Sequence, residues 1–323
     1  MRMSYILCSS SSLLHRQSIN KLNLISKLRF IHQNNQQHVK SSIINKYGKL
    51  VKPFLFTITA CGASFTIATI AQYENDQNDF HRKQKRFQSW NPYNSHQELS
   101  WFQQMKNLYW DSRKDGFKIF CCIAALNGLA FLCWRIPRLN PLMTKYFISR
   151  IDTGSIRIAP MILSNFSHYS ITHLAMNMIV LYSFCDLGVH LFGRENFLAL
   201  YLNAGIISSF ASFVHKVIIN STVPSLGASG AILGVLGATC LERPDIQLMI
   251  IFLPFFTFSS YTALKSILLL DALGIILRWE FFDHAAHMGG TLFGMYYSSS
   301  IRQYFYDKKR IILKQWKKFK NQF

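Results

Sequence analysis

Apolar residues in this chain fall in long runs, not in the alternation of half-buried strands or the narrow stripes of soluble helices. The first run, Pro53 to Gln72, is long enough to cross a bilayer, with Lys49 and Lys52 before it and Glu74 and Asp76 after it. Six more runs follow at roughly 117–136, 170–192, 195–216, 226–241, 260–278 and 283–301. The pattern predicts an all-α polytopic membrane protein. Between the runs, residues 73–115 are polar and mixed in charge. Within them Trp101, Met105, Leu108 and Tyr109 fall on one helical face, which fits a helix lying in the interface or packed on a soluble neighbour. The stretch 137–169 is too long and apolar for a simple loop and is expected to dip into the interface. The stretch 247–258 is apolar but broken by Pro254, and reads as a mobile, semi-buried approach to the next span. No internal repeat stands out.

Several spans are impure. They carry His173, Asn177, Asp186, Ser229, Lys265, Asp271 and His287. Polar groups at membrane depth are costly, so these are expected to face the bundle interior or a wet cavity.

Charge adds a second layer. The 323 residues carry a formal net charge of +20, yet the mean hydropathy is positive at +0.13. Nucleic-acid binding is the usual reading of such charge, but basic flanks on apolar spans fit anionic lipid head groups instead. Membrane lipids, not nucleic acid, are the expected partners. Residues 1–73 hold no Asp or Glu, and Arg2, Arg16, Lys21, Lys27 and Arg29 accompany a serine run at Ser9–Ser12. That is the composition of a mitochondrial presequence; a disordered basic tail is the bland alternative. The seven cysteines form no CxxC pair and mostly lie in apolar stretches, so neither a disulfide framework nor a zinc site is expected.

Two polar residues sit in glycine-rich frames: Gly227-Ala228-Ser229-Gly230, and Ala286-His287-Met288-Gly289-Gly290. A serine hydroxyl is a weak nucleophile until a base accepts its proton, and an imidazole is such a base. Gly290 and Gly294 share the helical face of His287, while Gly230, Gly234 and Gly237 smooth the helix of Ser229. Small residues let membrane helices approach closely, which is also the purely structural reading of these glycines. A third pair, His173 and Asn177 at i, i+4, offers donors of the kind that stabilise an oxyanion; helix–helix hydrogen bonding is the simpler use of such residues. Other motifs fit less well. Gly227-Ala228-Ser229-Gly230-Ala231 nearly matches a GxSxG elbow, and the order Ser229, Asp271 or Asp283, His287 suits a hydrolase triad. The elbow needs a strand–turn–helix, whereas the apolar pattern predicts helix throughout 226–241. His284, His287 and Asp283 could ligate a metal, but there is no HExxH, and no cofactor is expected. Asp271 has no second acid to form a dyad and is expected to bond a neighbouring helix.

Taken together, HxxxN at His173/Asn177, GxSG at Gly227-Ser229-Gly230 and AHxxG at Ala286-His287-Gly290, on separate spans and in this order, resemble the rhomboid intramembrane serine proteases. Trp134-Arg135 resembles their WR signature. Ser164-Asn165-Phe166-Ser167-His168, Pro224 to Ala231, Ile251 to Pro254 and Phe281 to His287 are similar to the mitochondrial branch, the presenilins-associated rhomboid-like proteases. The resemblance covers about 115–300. It implies a rhomboid six-helix core with one extra N-terminal transmembrane helix, in the mitochondrial inner membrane. It also implies Ser229 as nucleophile and His287 as base and acid, with His173, Asn177 and the Ser229 N–H binding the oxyanion. Substrates would be single-span transmembrane proteins. One position departs from the pattern: the Tyr that many rhomboids stack on the histidine is Leu233 here, and no Asp is assigned to orient His287, so a Ser–His dyad is expected.

The resulting division is 1–52 presequence and basic region, 53–72 extra helix, 73–115 polar linker, 116–301 protease core and 302–323 basic tail. The gate for a laterally entering substrate is expected at 247–258 and the span starting near 260. Two rival functions remain: an inactive rhomboid-like protein that binds membrane helices, and a transporter, for which discontinuous helices and repeat symmetry are lacking. Residues 135–157 carry five basic residues against one acid, which places them, with the N-terminus, in the matrix; the basic C-terminal tail argues the other way.

Overall fold

Helices form along the apolar runs, and side-chain chemistry sets where they begin and stop. The computed structural model describes residues 46–88, 115–151, 156–250 and 253–322. In chain order its elements are α1 (Val51–Gln88), α2 (Asp115–Cys133), α3 (Asn140–Tyr146), α4 (Pro160–Leu163), α5 (Ile171–Phe192), α6 (Arg194–Ile219), α7 (Ser229–Glu242), β1 (Gln247–Ile250), β2 (Leu253–Ser259), α8 (Ser260–Ile276), α9 (His284–Tyr296) and α10 (Arg302–Lys320). Ser259 starts α8 by accepting the Thr262 N–H at 3.2 Å, and Asp283 starts α9 by accepting the Ala286 N–H at 3.0 Å. Asn220 ends α6 in the left-handed region, at φ 55°, which asparagine tolerates.

Among the described residues, four helical stretches are long and apolar enough to cross a membrane: Lys46–Lys85, Asp115–Cys133, Ile171–Phe192 and Arg194–Ile219. The last is central, with 67% of its apolar window buried against 22–33% for the other three. Helix α1 runs antiparallel to it, through Phe54 against Phe210 at 5.8 Å, Ser64 Oγ to Asn203 Oδ1 at 2.8 Å and Asn75 Nδ2 to Glu195 Oε1 at 2.7 Å. Residues Lys52–Phe323 make one compact unit; of the preceding unit, only 46–51 are described, with a helical turn at 46–48.

Two expectations change in α1 and α8. Helix α1 does not end with its apolar run at Gln72 but continues to Gln88. Its polar extension is held by tertiary contacts: the carboxylate of Glu74 accepts both Trp316 Nε1 and Lys320 Nζ of α10 at 2.8 Å. Lys265 does not face the interior. It is exposed near the start of α8, with its ammonium 4.2 Å from the centre of the Tyr261 ring, a position from which a long side chain reaches polar surroundings. The presequence and the predicted amphipathic helix around Trp101–Tyr109 lie outside the described residues.

Glycine positions α7 against its neighbours. A Cβ on Gly290 of α9 would land on Gly230 O of α7, one on Gly294 would land on Gly234 O, and one on Gly230 would land on Ser208 of α6. Between α7 and α9 backbone therefore meets backbone, as small residues in membrane helices allow.

The described residues of 137–169, namely 137–151 and 156–169, pack at the end where α7 begins. Trp134 Nε1 donates to Ser167 Oγ at 2.9 Å, and Arg135 donates to Tyr169 O at 2.8 Å. Ser149 and Ser225 exchange backbone hydrogen bonds of 2.8 Å, and Gly227 N–H donates to Ser164 O at 2.9 Å. At the opposite end of α7, β1 and β2 pair antiparallel, so the approach to α8 carries regular strand structure.

Candidate active site

The helix begins at Ser229 itself, not at 226 as the apolar pattern predicts. The preceding residues are a loop, because Gly227 takes φ +134° and packs on the His173 ring, where a side chain would collide. Ser229 is thus the first residue of α7, whose opening N–H groups have no intrahelical acceptor and carry the positive end of the helix dipole. A developing negative charge beside Ser229 would meet those donors.

Helix α9 presents His287 across the glycine seam. Ser229 Oγ lies 2.8 Å from His287 Nε2, a hydrogen-bond distance. Behind the imidazole stands a residue that the sequence offered as a triad candidate by its order in the chain and that was expected to bond a neighbouring helix. Asp271 of α8 has one carboxylate oxygen 2.8 Å from His284 Nδ1 and 3.5 Å from His287 Nδ1. Asp271 is 1% exposed and His284 4%, so the pair is fixed in the interior. The first contact is the bond to a neighbouring helix that was expected. The second places Asp271 on the far side of His287 from Ser229, where the sequence assigned no acid to orient the imidazole. Phe282 adds a ring 5.8 Å from that of His287. The order of these residues along the chain suits a triad, but only the fold could show which of Asp271 and Asp283 faces the imidazole. Asp283 turns the other way, capping α9 and pairing with Lys216 at 3.2 Å.

His173 and Asn177 both border the same space as Ser229 and His287. Asn177 donates one amide hydrogen to His173 O at 2.9 Å, which leaves its second for the cavity. His173 also packs edge-to-face on His168, with ring centres 4.9 Å apart. His168 lies in the segment before α5 and is fully buried, and its Nε2 accepts the Ala228 N–H at 3.4 Å. Burial, and secondarily the neighbouring His173, push its pKa down from 6.5 to about 4. The folded imidazole is therefore neutral at pH 7, whereas the unfolded one takes a proton as pH falls through 6.5. Stability drains over that window and the loss levels off near pH 4. From this group alone, thermal unfolding in detergent should show about 2 kcal/mol less stability at pH 5 than at pH 7. His168→Gln, which keeps an acceptor without a titrating proton, should flatten that slope.

Two cavities meet at Ser229 and His287. One, of about 390 Å³, is almost wholly apolar and lies between α5 and α8, bounded by Met176, Val180, Ile267 and Leu270. The other, of about 510 Å³, has a mixed lining, in which His215, Lys216, Ser221, Arg278 and Glu280 stand among apolar and aromatic residues such as Ile219 and Trp279. Asp271, His284 and His287 also offer three ligand atoms within 4.8 Å of one another, the set best able to hold a divalent metal among the described residues.

Residues 157–304 match the rhomboid domain. The mouse presenilin-associated rhomboid-like protein, mitochondrial, is 43% identical over 83% of this chain and 71% of its own length. The chain belongs to the rhomboid family, in its presenilin-associated rhomboid-like branch. Rhomboid protein 1, mitochondrial, of Saccharomyces cerevisiae is 33% identical over 54% of this chain and 51% of its own. Rhomboid protease GluP of Bacillus subtilis is 34% identical over 42% of this chain and 24% of its own. As a member of this family the chain is a serine-type intramembrane endopeptidase, a multi-pass protein of the mitochondrial inner membrane.

Proposed function

We propose that this protease cuts single-span membrane proteins in or near their transmembrane segments, with Ser229 as nucleophile and His287 as general base and acid. The observation that carries the reading is the 2.8 Å contact between Ser229 Oγ and His287 Nε2, where an apolar cavity meets a more polar one. The substrate helix enters from lipid between α5 and α8 and unwinds, because helical carbonyls are shielded and already bonded. Ser229 Oγ attacks the exposed carbonyl while His287 Nε2 takes its proton. The oxyanion is held by the Ser229 N–H, with His173 and Asn177 as side-chain donors. His287 returns the proton to the leaving amine, and water from the more polar cavity hydrolyses the acyl-enzyme. Asp271 positions the imidazole and stabilises its charged form, which extends the expected dyad.

The β1–β2 pair is not the gate in this reading. It sits beyond the far end of α7, whose length places it about 20 Å from Ser229. The wall made by α8 keeps that role. In the membrane, α1 is the extra span and α2, α5, α6, α7, α8 and α9 form the six-helix core within 116–301. An inactive helix-binding protein needs no serine hydroxyl aimed at an imidazole.

Purified full-length protein in liposomes, given a single-span reporter, should yield two fragments whose new ends map within or at the edge of the apolar segment. A fluorophosphonate should block the cut and attach to Ser229. Absence of cleavage across a panel of such reporters, with folded protein, would sink the proposal.

A further inference from the structure

A second buried polar cluster lies beside the proposed active site without touching the reacting atoms. Lys216 of α6 is 5% exposed and pairs with Asp283 at 3.2 Å. The same Asp283 oxygen accepts the hydroxyls of Ser212 and Ser225, and Lys216 Nζ also donates to Ser225 Oγ. The other Asp283 oxygen caps α9. One carboxylate thus joins α6, the loop before α7 and the first turn of α9.

The sequence positions give this cluster its meaning. Ser225 stands four residues before Ser229, and Asp283 stands four residues before His287. The backbone carries the register onward: His287 N–H donates to Asp283 O at 3.0 Å, and Ser225 is pinned to Ser149 by paired 2.8 Å backbone bonds. Both catalytic segments are therefore fastened, just upstream of their functional residue, to the same ion pair. Burying two charges is expensive unless the geometry is good, and removing one partner strands the other. Ordinary helix capping of α9 would need Asp283 alone, with neither a buried lysine nor the serine bridge to the other loop.

We propose that Lys216, Asp283 and Ser225 form a positioning clamp that sets the spacing between the Ser229 loop and the His287 helix. None of the three is a catalytic residue. They act by holding the hydroxyl and imidazole in register, where a displacement of about 1 Å can cost on the order of 100-fold in rate. This inference rests on the Ser229–His287 reading above.

The test compares full-length variants in liposomes on one single-span reporter, measuring kcat, KM, melting temperature and the rate of fluorophosphonate attachment. Lys216→Met should lower kcat by about 10-fold or more with KM within two-fold, and should slow fluorophosphonate attachment in parallel. Lys216→Arg should restore most of the loss. Lys216→Met combined with Asp283→Asn should also recover activity, because asparagine still caps the helix and no charge is stranded. Ser225→Ala, which removes a bridge without stranding a charge, guards against Lys216→Met failing to fold, and should lower kcat several-fold at unchanged melting temperature. Unchanged kcat in both Lys216→Met and Ser225→Ala would overturn the clamp and leave the Ser229 reading intact. Activity that merely tracks the folded fraction, with no rescue by arginine or by the double variant, would overturn it as well. Cleavage persisting in Ser229→Ala would instead remove the reading beneath it.

Discussion

Replacing Ser229 with alanine is expected to reduce turnover by at least about 1,000-fold. The change removes one oxygen from a position that is half-buried and already surrounded by small residues, so packing is nearly unaffected. What disappears is the atom that forms the acyl bond. With no nucleophile, the imidazole 2.8 Å away has no proton to accept, and the donors at the start of α7 have no oxyanion to hold. Because these groups act as a unit, the costs should not add: Ser229→Ala with His287→Ala should be no slower than either alone. The measurement is single-turnover cleavage of the reporter in liposomes, with helical content checked by circular dichroism. Residual turnover above one-tenth of wild type in Ser229→Ala would place the nucleophile elsewhere.

The second large effect is expected at Asp271. Asparagine at this position keeps the size of the side chain and can still accept from His284 Nδ1, now 2.8 Å away. It lacks the negative charge that favours an imidazolium at His287, and it can offer an N–H where the imidazole should donate its own, selecting the wrong tautomer. The contact to His287 Nδ1 is 3.5 Å, longer than an ideal hydrogen bond, so the loss should be about 100-fold in kcat and fall short of the larger losses seen when a tightly bonded triad acid is removed. KM should stay within a few-fold, because Asp271 binds no part of the substrate in this mechanism. A pure dyad predicts almost no loss of kcat, so the experiment separates the two arrangements. Glu in place of Asp should not rescue, since the added methylene moves the carboxylate away from its contacts with His284 and His287.

The spans were legible in the sequence because a bilayer demands long apolar runs; α5 at Ile171–Phe192 and α6 at Arg194–Ile219 lie close to their predicted limits. The glycine frames were equally readable, since a close helix approach leaves a periodic trace of small residues. What hydropathy cannot register is backbone conformation. Leu226, Gly227 and Ala228 are as apolar as the helix they precede, and only the positive φ at Gly227 makes them a loop and brings Ser229 to a helix start. Long-range partners were also invisible. Asp271 and His287 lie on different helices, and nothing local distinguishes an acid that faces an imidazole from one that bonds a neighbouring helix. Lys216 closes the apolar run 195–216, and its counter-ion Asp283 is 67 positions away, beyond α7, β1, β2 and α8. Similarly, the polar extension of α1 stays helical through contacts with Trp316 and Lys320, which no window around Glu74 contains.

The glycine seam also divides what natural variation can change. At Gly230, Gly290 and Gly294 the neighbouring atoms leave room for hydrogen and nothing larger, so drift at these positions is closed to all other side chains. The apolar cavity between α5 and α8 is built instead from Met176, Val180, Ile267 and Leu270, residues that can exchange for others of similar bulk. Selectivity can therefore be retuned in descendants of this chain by altering those walls while the bond-breaking apparatus is inherited unchanged.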